Sequence, residues 1–299
     1  MNGNDSSASN QVMINTLVAA GTALILLAVG TVFFISSVRS TPIAADSVSD
    51  FTTSSEPLID GQAASEPVRL LAEAKNLVFV LADDLDWSLF NHVPRLAALT
   101  EQGITFTNHT VTDSLCCPSR VSIMRGQYIH NHKVISNIEK TGGGWPTFRD
   151  RKEENDCLPV WLNNAGVTTA LFGKYLNDFP SEPKEAKYIP PGWDQWAVPI
   201  SRGDSYTGYN YTLNDNGSLV RYGNKTSDFL NDVITNKATQ FIQTAQQPFF
   251  LELSTYSPHK PAPVATRNAL KQGGTLAPRN PTYNSYGVDE PKWMKDKTP

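Results

Sequence analysis

The run Asn76–Ala82, NLVFVLA, carries apolar side chains at odd and even positions alike. A strand with one face in water alternates apolar and polar residues, so an unbroken apolar run of this length is predicted to be buried on both faces. Such a strand needs helices on both sides of its sheet, and the sequence supplies them. VPRLAALTEQG has helical spacing and ends at Gly103, a C-cap candidate. Pro118 suits the first turn of a helix through SRVSIMRGQY. LPVWLNNAG reads as an amphipathic helix closing on Gly166, and VTTALFGKY as the next strand and its loop. TSDFLNDVITNKATQFIQTA opens on a Thr/Ser/Asp capping cluster, runs with helical periodicity and leads into the apolar run QPFFLELSTYSPH. ITFTNHTV is a further β-rich run. Strands alternating with helices predict an α/β domain around a largely parallel sheet.

In open α/β sheets, ligands bind beyond the carboxyl ends of the strands. Polar groups gather at those ends three times here: Asp83-Asp84 after NLVFVLA, Lys174 after TTALFG, and His259 after FFLELSTYSP. Singly, each has a plain explanation, since paired Asp residues cap helices, lysines are solvated and histidines are mostly structural. Recurring at equivalent strand ends, they point to a functional site.

The second long apolar run is Val12–Val38, which contains no charged residue. As a helix rising about 1.5 Å per residue it would extend roughly 40 Å, enough to cross a bilayer. A cleavable signal has a basic n-region and an apolar core of about 7–15 residues, whereas this run is longer and has no Lys or Arg before it. It is therefore read as an uncleaved transmembrane signal anchor, with a signal cleaved after TPIAA as the alternative. Residues 1–11 are a short tail, and 39–75, rich in Ser, Thr, Ala, Pro and acidic residues, a flexible stalk. Residues 76–299 form the folded domain. Arg39 favours a cytosolic C-terminal side, but long domains translocate largely regardless of flanking charge. Four N-x-S/T sequons, at Asn108, Asn210, Asn216 and Asn224, instead place that domain in the lumen of the secretory pathway or outside the cell. Three of them crowd into a polar, loop-like stretch.

A net charge of −4 and the absence of a Lys/Arg-rich run argue against nucleic acid as a partner. Three cysteines are too few for a disulfide framework. Two of them are adjacent, in DSLCCPSR. Buried, both would behave as small hydrophobes. Cys116, however, precedes a helix start and has Arg120 one turn on, an electropositive setting that suits a reactive thiolate or an anion site.

Cys116-Cys117-Pro118-Ser119-Arg120 with Gly126 resembles the C-x-P-S-R signature of the type I sulfatases. FVLADDLDW, FGKYLND, YIPPGWDQW and YSPHKP extend the resemblance in family order over about Asn76–Pro299. The double cysteine, HNHKV and GKYLN are most similar to the N-acetylglucosamine-6-sulfatase branch. The resemblance implies an alkaline-phosphatase-like fold with a mixed, largely parallel sheet. It also implies hydrolysis of sulfate monoesters of sulfated sugars, glycosaminoglycan esters among them.

In the family the first cysteine of the motif is converted by a formylglycine-generating enzyme to formylglycine, whose hydrate attacks the ester sulfur. By resemblance Cys116 is that residue. Cys117 fills the variable position, either as a buried thiol or paired with Cys157. Asp83, Asp84 and the oxygen at position 116 are implied as ligands for Ca²⁺, a hard cation that prefers oxygen. Arg120 would hold the formylglycine hydrate, Lys174 the sulfate oxygens, and His259 would bind sulfate and assist proton transfer to the leaving oxygen. Leu176 stands where family members often carry a histidine, which leaves the general acid open. The family also has a later segment with an Asp-Asn metal-ligand pair and a further lysine. No such segment follows here, so a catalytic domain truncated at its C-terminus is expected, and a catalytically inactive binder of sulfated glycans is the alternative.

Overall fold

The computed structural model describes residues 23–29, 32–37, 76–90, 92–200, 202–269 and 271. The apolar run that starts at Asn76 folds as anticipated: Asn76–Asp83 is strand β3, lying in a nine-stranded sheet among the described residues. Its neighbours are β1 (Ala23–Val29) and β9 (Phe249–Pro258), both parallel to it. Next to β9 come β5 (Thr168–Gly173) and β6 (Gln195–Pro199), again parallel. The flanks are antiparallel: β2 (Val32–Ser37) and β4 (Ile104–Thr105) on one side, β7 (Thr212–Asp215) and β8 (Ser218–Arg221) on the other. The sheet is therefore mixed and parallel through its centre, with strand order β4-β2-β1-β3-β9-β5-β6-β7-β8.

Helices cover both faces, because the central strands have no polar face to give to water. On one side pack α1 (Cys116–Arg125), α2 (Gly144–Asp150) and α3 (Leu158–Asn164), around Val121, Met124, Trp145, Phe148 and Leu171. The short α4 (Arg202–Thr207) follows β6. The other face is covered by α5 (Leu230–Thr244), which buries Leu230, Val233, Ile234, Ala238, Phe241 and Ile242. That spacing keeps one stripe on the sheet, and each large side chain so buried contributes about 1.5–3 kcal/mol.

Three readings are corrected. The expected transmembrane helix over 12–38 is not seen: its described residues are the hairpin strands β1 and β2, and no helix among the described residues is long and apolar enough to cross a membrane. A short apolar run does not distinguish helix from strand by periodicity, and here Phe33, Phe34 and Ile35 suit a strand while Gly30 interrupts the run. The rest of that run, and the stalk over 39–75, lie outside the described residues. Within the stretch holding Asn210, Asn216 and Asn224, residues 212–221 form a β-hairpin rather than a loop, with Asn216 and Gly217 at its tip in left-handed conformations, while Asn210 and Asn224 lie in the irregular segments on either side. Asn-Gly is the sequence that such a tight turn demands. Finally, α5 begins at Leu230, beyond the Thr226–Asp228 cluster, which forms a separate short turn of helix.

Candidate active site

The parallel centre of the sheet delivers its strand ends to one place. β3 ends in Asp83, and the β3–β9 register shifts between Ala82 and Asp83, so the strand kinks there. Asp84 follows with φ of 59°, a left-handed conformation that Asp tolerates better than most residues. β5 ends at Gly173, whose φ of +114° turns the chain into Lys174. A Cβ at Gly173 would lie 1.8 Å from the Ser254 carbonyl oxygen, so only glycine permits this approach of β5 to β9. The Lys174 backbone N–H donates to that same oxygen at 2.8 Å.

Helix α1 brings the cysteine motif to these ends. Its first residues include Pro118, which has no N–H to satisfy, and Cys117, whose N–H donates to Asn137 Oδ1 at 2.8 Å. Cys116 and Arg120 are four residues apart and so share one side of the helix. Arg120, 5 % exposed, reaches into the sheet. Its Nη1 donates to Ser254 Oγ at 2.6 Å and to the Lys174 carbonyl at 3.0 Å, and its Nη2 donates to Asp83 Oδ1 at 3.2 Å. Lys174 Nζ donates to the other carboxylate oxygen, Asp83 Oδ2, at 2.6 Å. Buried charges persist only when paired in this way. Burial by itself would raise the Asp83 pKa, but Arg120 and Lys174 together outweigh it and hold the carboxyl below the usual range. Two cations against one carboxylate leave this buried trio one positive charge, a polarity suited to an anion.

The remaining groups line the mouth of the site. One ligand-type atom each of Asp83, Cys116 and His259 lies within 4.8 Å of the other two. His259 Nδ1 contacts the Lys260 carbonyl at 2.6 Å. A carbonyl only accepts, so Nδ1 carries the hydrogen and Nε2 faces the site, 3.5 Å from Asp84 Oδ2. The Tyr206 ring packs on the His259 ring at 4.8 Å between centroids, and Lys174 Nζ sits over the Tyr206 and Tyr256 rings at 5.1 and 5.9 Å.

All six candidate residues named from the sequence, Asp83, Asp84, Cys116, Arg120, Lys174 and His259, thus meet at the strand ends. The two hard carboxylates beside position 116 are the donor type that Ca²⁺ takes, and they would supply part of its oxygen shell. The thiol reading of the motif is corrected. Burial raises the Cys116 pKa, and although Lys174 and Arg120 lower it, Asp83 and Asp84 work against them, so Cys116 is not an activated thiolate. Cys117 and Cys157 are both buried free thiols, each raised to about 12 by burial, and are not paired. Ser254, Tyr206, Tyr256 and Glu252 carry no sequence signal of their own. Only the position of Ser254 and Glu252 on an apolar strand, where a polar residue is costly, could have marked them.

A mixed sheet that is parallel through its centre, with a buried cation–carboxylate trio and an ionisable cluster at its strand ends, defines an α/β protein with a charged site at those ends. Residues 75–286 match the sulfatase family, and the chain belongs to it. It is 34 % identical over 233 residues to the N-acetylglucosamine-6-sulfatase of Capra hircus, covering 75 % of this chain and 41 % of the relative. It is 31 % identical over 228 residues to an extracellular sulfatase SULF-1 homolog of Drosophila melanogaster, covering 73 % of this chain and 20 % of that protein. The chain thus spans less than half the length of these relatives. A solved structure of a protein in complex with its substrate D-glucosamine-2-N,6-O-disulfate superposes with a TM-score of 0.55 at 21 % identity, over 70 % of this chain and 40 % of the other, which supports the shared fold.

Proposed function

We propose that the protein hydrolyses sulfate monoesters of sulfated sugars, of the glucosamine-6-sulfate kind, in the secretory pathway or outside the cell. The observation that carries this reading is the convergence of Asp83, Cys116 and His259 within 4.8 Å on top of the buried Arg120–Asp83–Lys174 trio. The names of the N-acetylglucosamine-6-sulfatase and extracellular sulfatase relatives support the substrate class and the location.

In this reading Cys116 is converted by a formylglycine-generating enzyme to formylglycine, which supplies a hydrated aldehyde oxygen as nucleophile. Asp83, Asp84 and residue 116 would hold Ca²⁺, which would supply Lewis acidity there. The chain's own side chains do the rest. Arg120, fixed by Ser254 and the Lys174 carbonyl, orients residue 116 and offsets negative charge. Lys174, fixed by Asp83 and backed by two tyrosine rings, binds sulfate oxygens. His259 presents Nε2 to the leaving oxygen and, when protonated there, can give up that proton.

The test is mass spectrometry of the peptide around Ser119 together with turnover of methylumbelliferyl sulfate. Formylglycine at position 116 and a turnover abolished by Cys116→Ala are expected. Turnover that survives Cys116→Ala overturns the mechanism.

A further inference from the structure

Beneath the site lies a small cleft lined by Leu81, Arg120, Met124, Lys174, Tyr175 and Glu252. Glu252 occupies the middle of β9, paired with Phe79 on β3 and Leu171 on β5, where the strands otherwise carry apolar residues. Side chains alternate along a strand, so Glu252 shares its face with Phe250 and with Ser254, the serine that accepts a hydrogen bond from Arg120. It is 7 % exposed. A carboxyl costs several kcal/mol to bury without a counter-charge, and none of the groups proposed to bind the substrate requires one here.

Each element around the cleft supplies a definite set of charges. Arg120 enters from α1, Lys174 and Tyr175 enter from the end of β5, and β3 contributes only the apolar Leu81, with Asp83 above it. α5 packs on the opposite face of the sheet. We propose that Glu252, which lines the same cleft as Arg120 and Lys174, is a buried carboxyl that switches between neutral and charged and so sets how strongly the site holds an anionic sulfate group. With Glu252 neutral, the buried trio of Arg120, Lys174 and Asp83 keeps its one positive charge. With Glu252 ionised that surplus is cancelled and anion binding weakens. The geometry is accompanied by the right titration range: burial pushes Glu252 up to about 7, with Arg120 pulling the other way. The function of this device rests on the sulfatase reading, but the anion affinity it predicts can be measured without turnover.

The experiment compares the protein with its Glu252→Gln variant, which keeps shape and polarity and removes the charge. Calorimetric binding of inorganic sulfate, and KM and kcat for a sulfate monoester, are measured from about pH 6 to pH 8. Sulfate affinity of the unchanged protein is expected to fall roughly tenfold over that range, about one pK unit of coupling, with the loss in KM rather than kcat. The variant is expected to lose less affinity over the same range. Any contribution from the His259 ring is common to both proteins, so the difference between them isolates Glu252. A variant whose affinity and KM depend on pH as steeply as those of the unchanged protein overturns the proposal, as does failure of the folded, unchanged protein to bind sulfate at pH 6. If neither protein turns over ester while the contrast in sulfate binding holds, the hydrolase reading fails and the role of Glu252 stands.

Discussion

Lys174 Nζ donates to Asp83 Oδ2 at 2.6 Å although 91 residues separate the two in the chain, and both side chains are nearly inaccessible to water. Lys174→Met removes one partner of this buried pair and leaves Asp83 to Arg120 alone. Breaking a buried pair in this way typically costs about 3–5 kcal/mol. The Arg267–Asp232 pair has a bidentate geometry but is more than 30 % exposed on both sides, and Arg267→Met there should cost at most about 1 kcal/mol. Urea denaturation of the two variants checks the contrast, and equal losses would show that the buried pair does not hold the strand ends together.

The same pair makes stability depend on acid. Asp83 has a folded pKa below its ordinary value of 3.8, so its contribution is complete above 3.8 and is lost as pH falls through the lower folded value. Melting temperature should therefore rise with pH through the acid region in the unchanged protein, and less steeply in Asp83→Asn. Parallel curves for the two proteins would count against the pairing.

Gly173→Ala tests whether the close approach of β5 to β9 is obligatory. The new Cβ would meet the Ser254 carbonyl oxygen at 1.8 Å, on a backbone with φ of +114° that L-residues rarely adopt. Strain and overpacking together should cost roughly 3 kcal/mol or more, and the displaced Lys174 should lower any turnover with it. Gly166, also at positive φ but with open space around its Cβ position, should tolerate alanine better, at about 1–2 kcal/mol. Chemical denaturation of both variants gives the comparison.

What the sequence disclosed about this molecule follows from how local each signal is. The two-sided burial of NLVFVLA and the alternation of strands with helices are properties of neighbouring residues, and they correctly implied a parallel centre with Asp83, Lys174 and His259 after its strands. The Asn216-Gly217 turn was equally local, but sequons drew the reading towards a loop. Ser254 under Arg120 and the tyrosine rings under Lys174 are pairings made through space by strand order, and nothing within a few residues of them announces the partner. In the run 12–38 uncharged apolar residues serve a bilayer helix and a sheet strand alike, and for Ala23–Val29 only the pairing with β3 separates the two.

The adjacent cysteines should separate cleanly on mutation. Cys116 is half-buried at the mouth of the site, and Cys116→Ala should abolish sulfate ester turnover with little change in stability. Cys117 is fully buried in the cluster that holds Val121 and Phe148 and is not placed among the reacting groups. Cys117→Ala should leave turnover largely intact and cost about 1–2 kcal/mol for the lost packing. Turnover assays and urea denaturation on both variants decide it, and loss of turnover in a folded Cys117→Ala protein would assign the chemistry to the wrong residue.

Glu252 also predicts a stability signature opposite to that of Asp83. Its pKa rises from an ordinary 4.5 to about 7 on folding, so between those values the folded state retains a proton that the unfolded state has lost. Stability must then fall as pH rises from about 4.5 to 7 and stay lower above it, by an amount on the order of 3 kcal/mol. Glu252→Gln removes that loss: the variant should match the unchanged protein near pH 4.5 and exceed it at pH 8. His132, fully buried, works in the other direction, because burial holds its folded pKa down at about 4 against an ordinary 6.5. Between those values the folded state keeps the ring neutral while the unfolded chain binds a proton, so stability rises with pH. With Glu252 replaced, the His132 contribution should emerge as a gain in stability from about pH 4 to 6.5. Denaturation curves across this range read both slopes, and a Glu252→Gln protein that is no more stable than its parent at pH 8 would show that the carboxyl is not held in the apolar sheet as described.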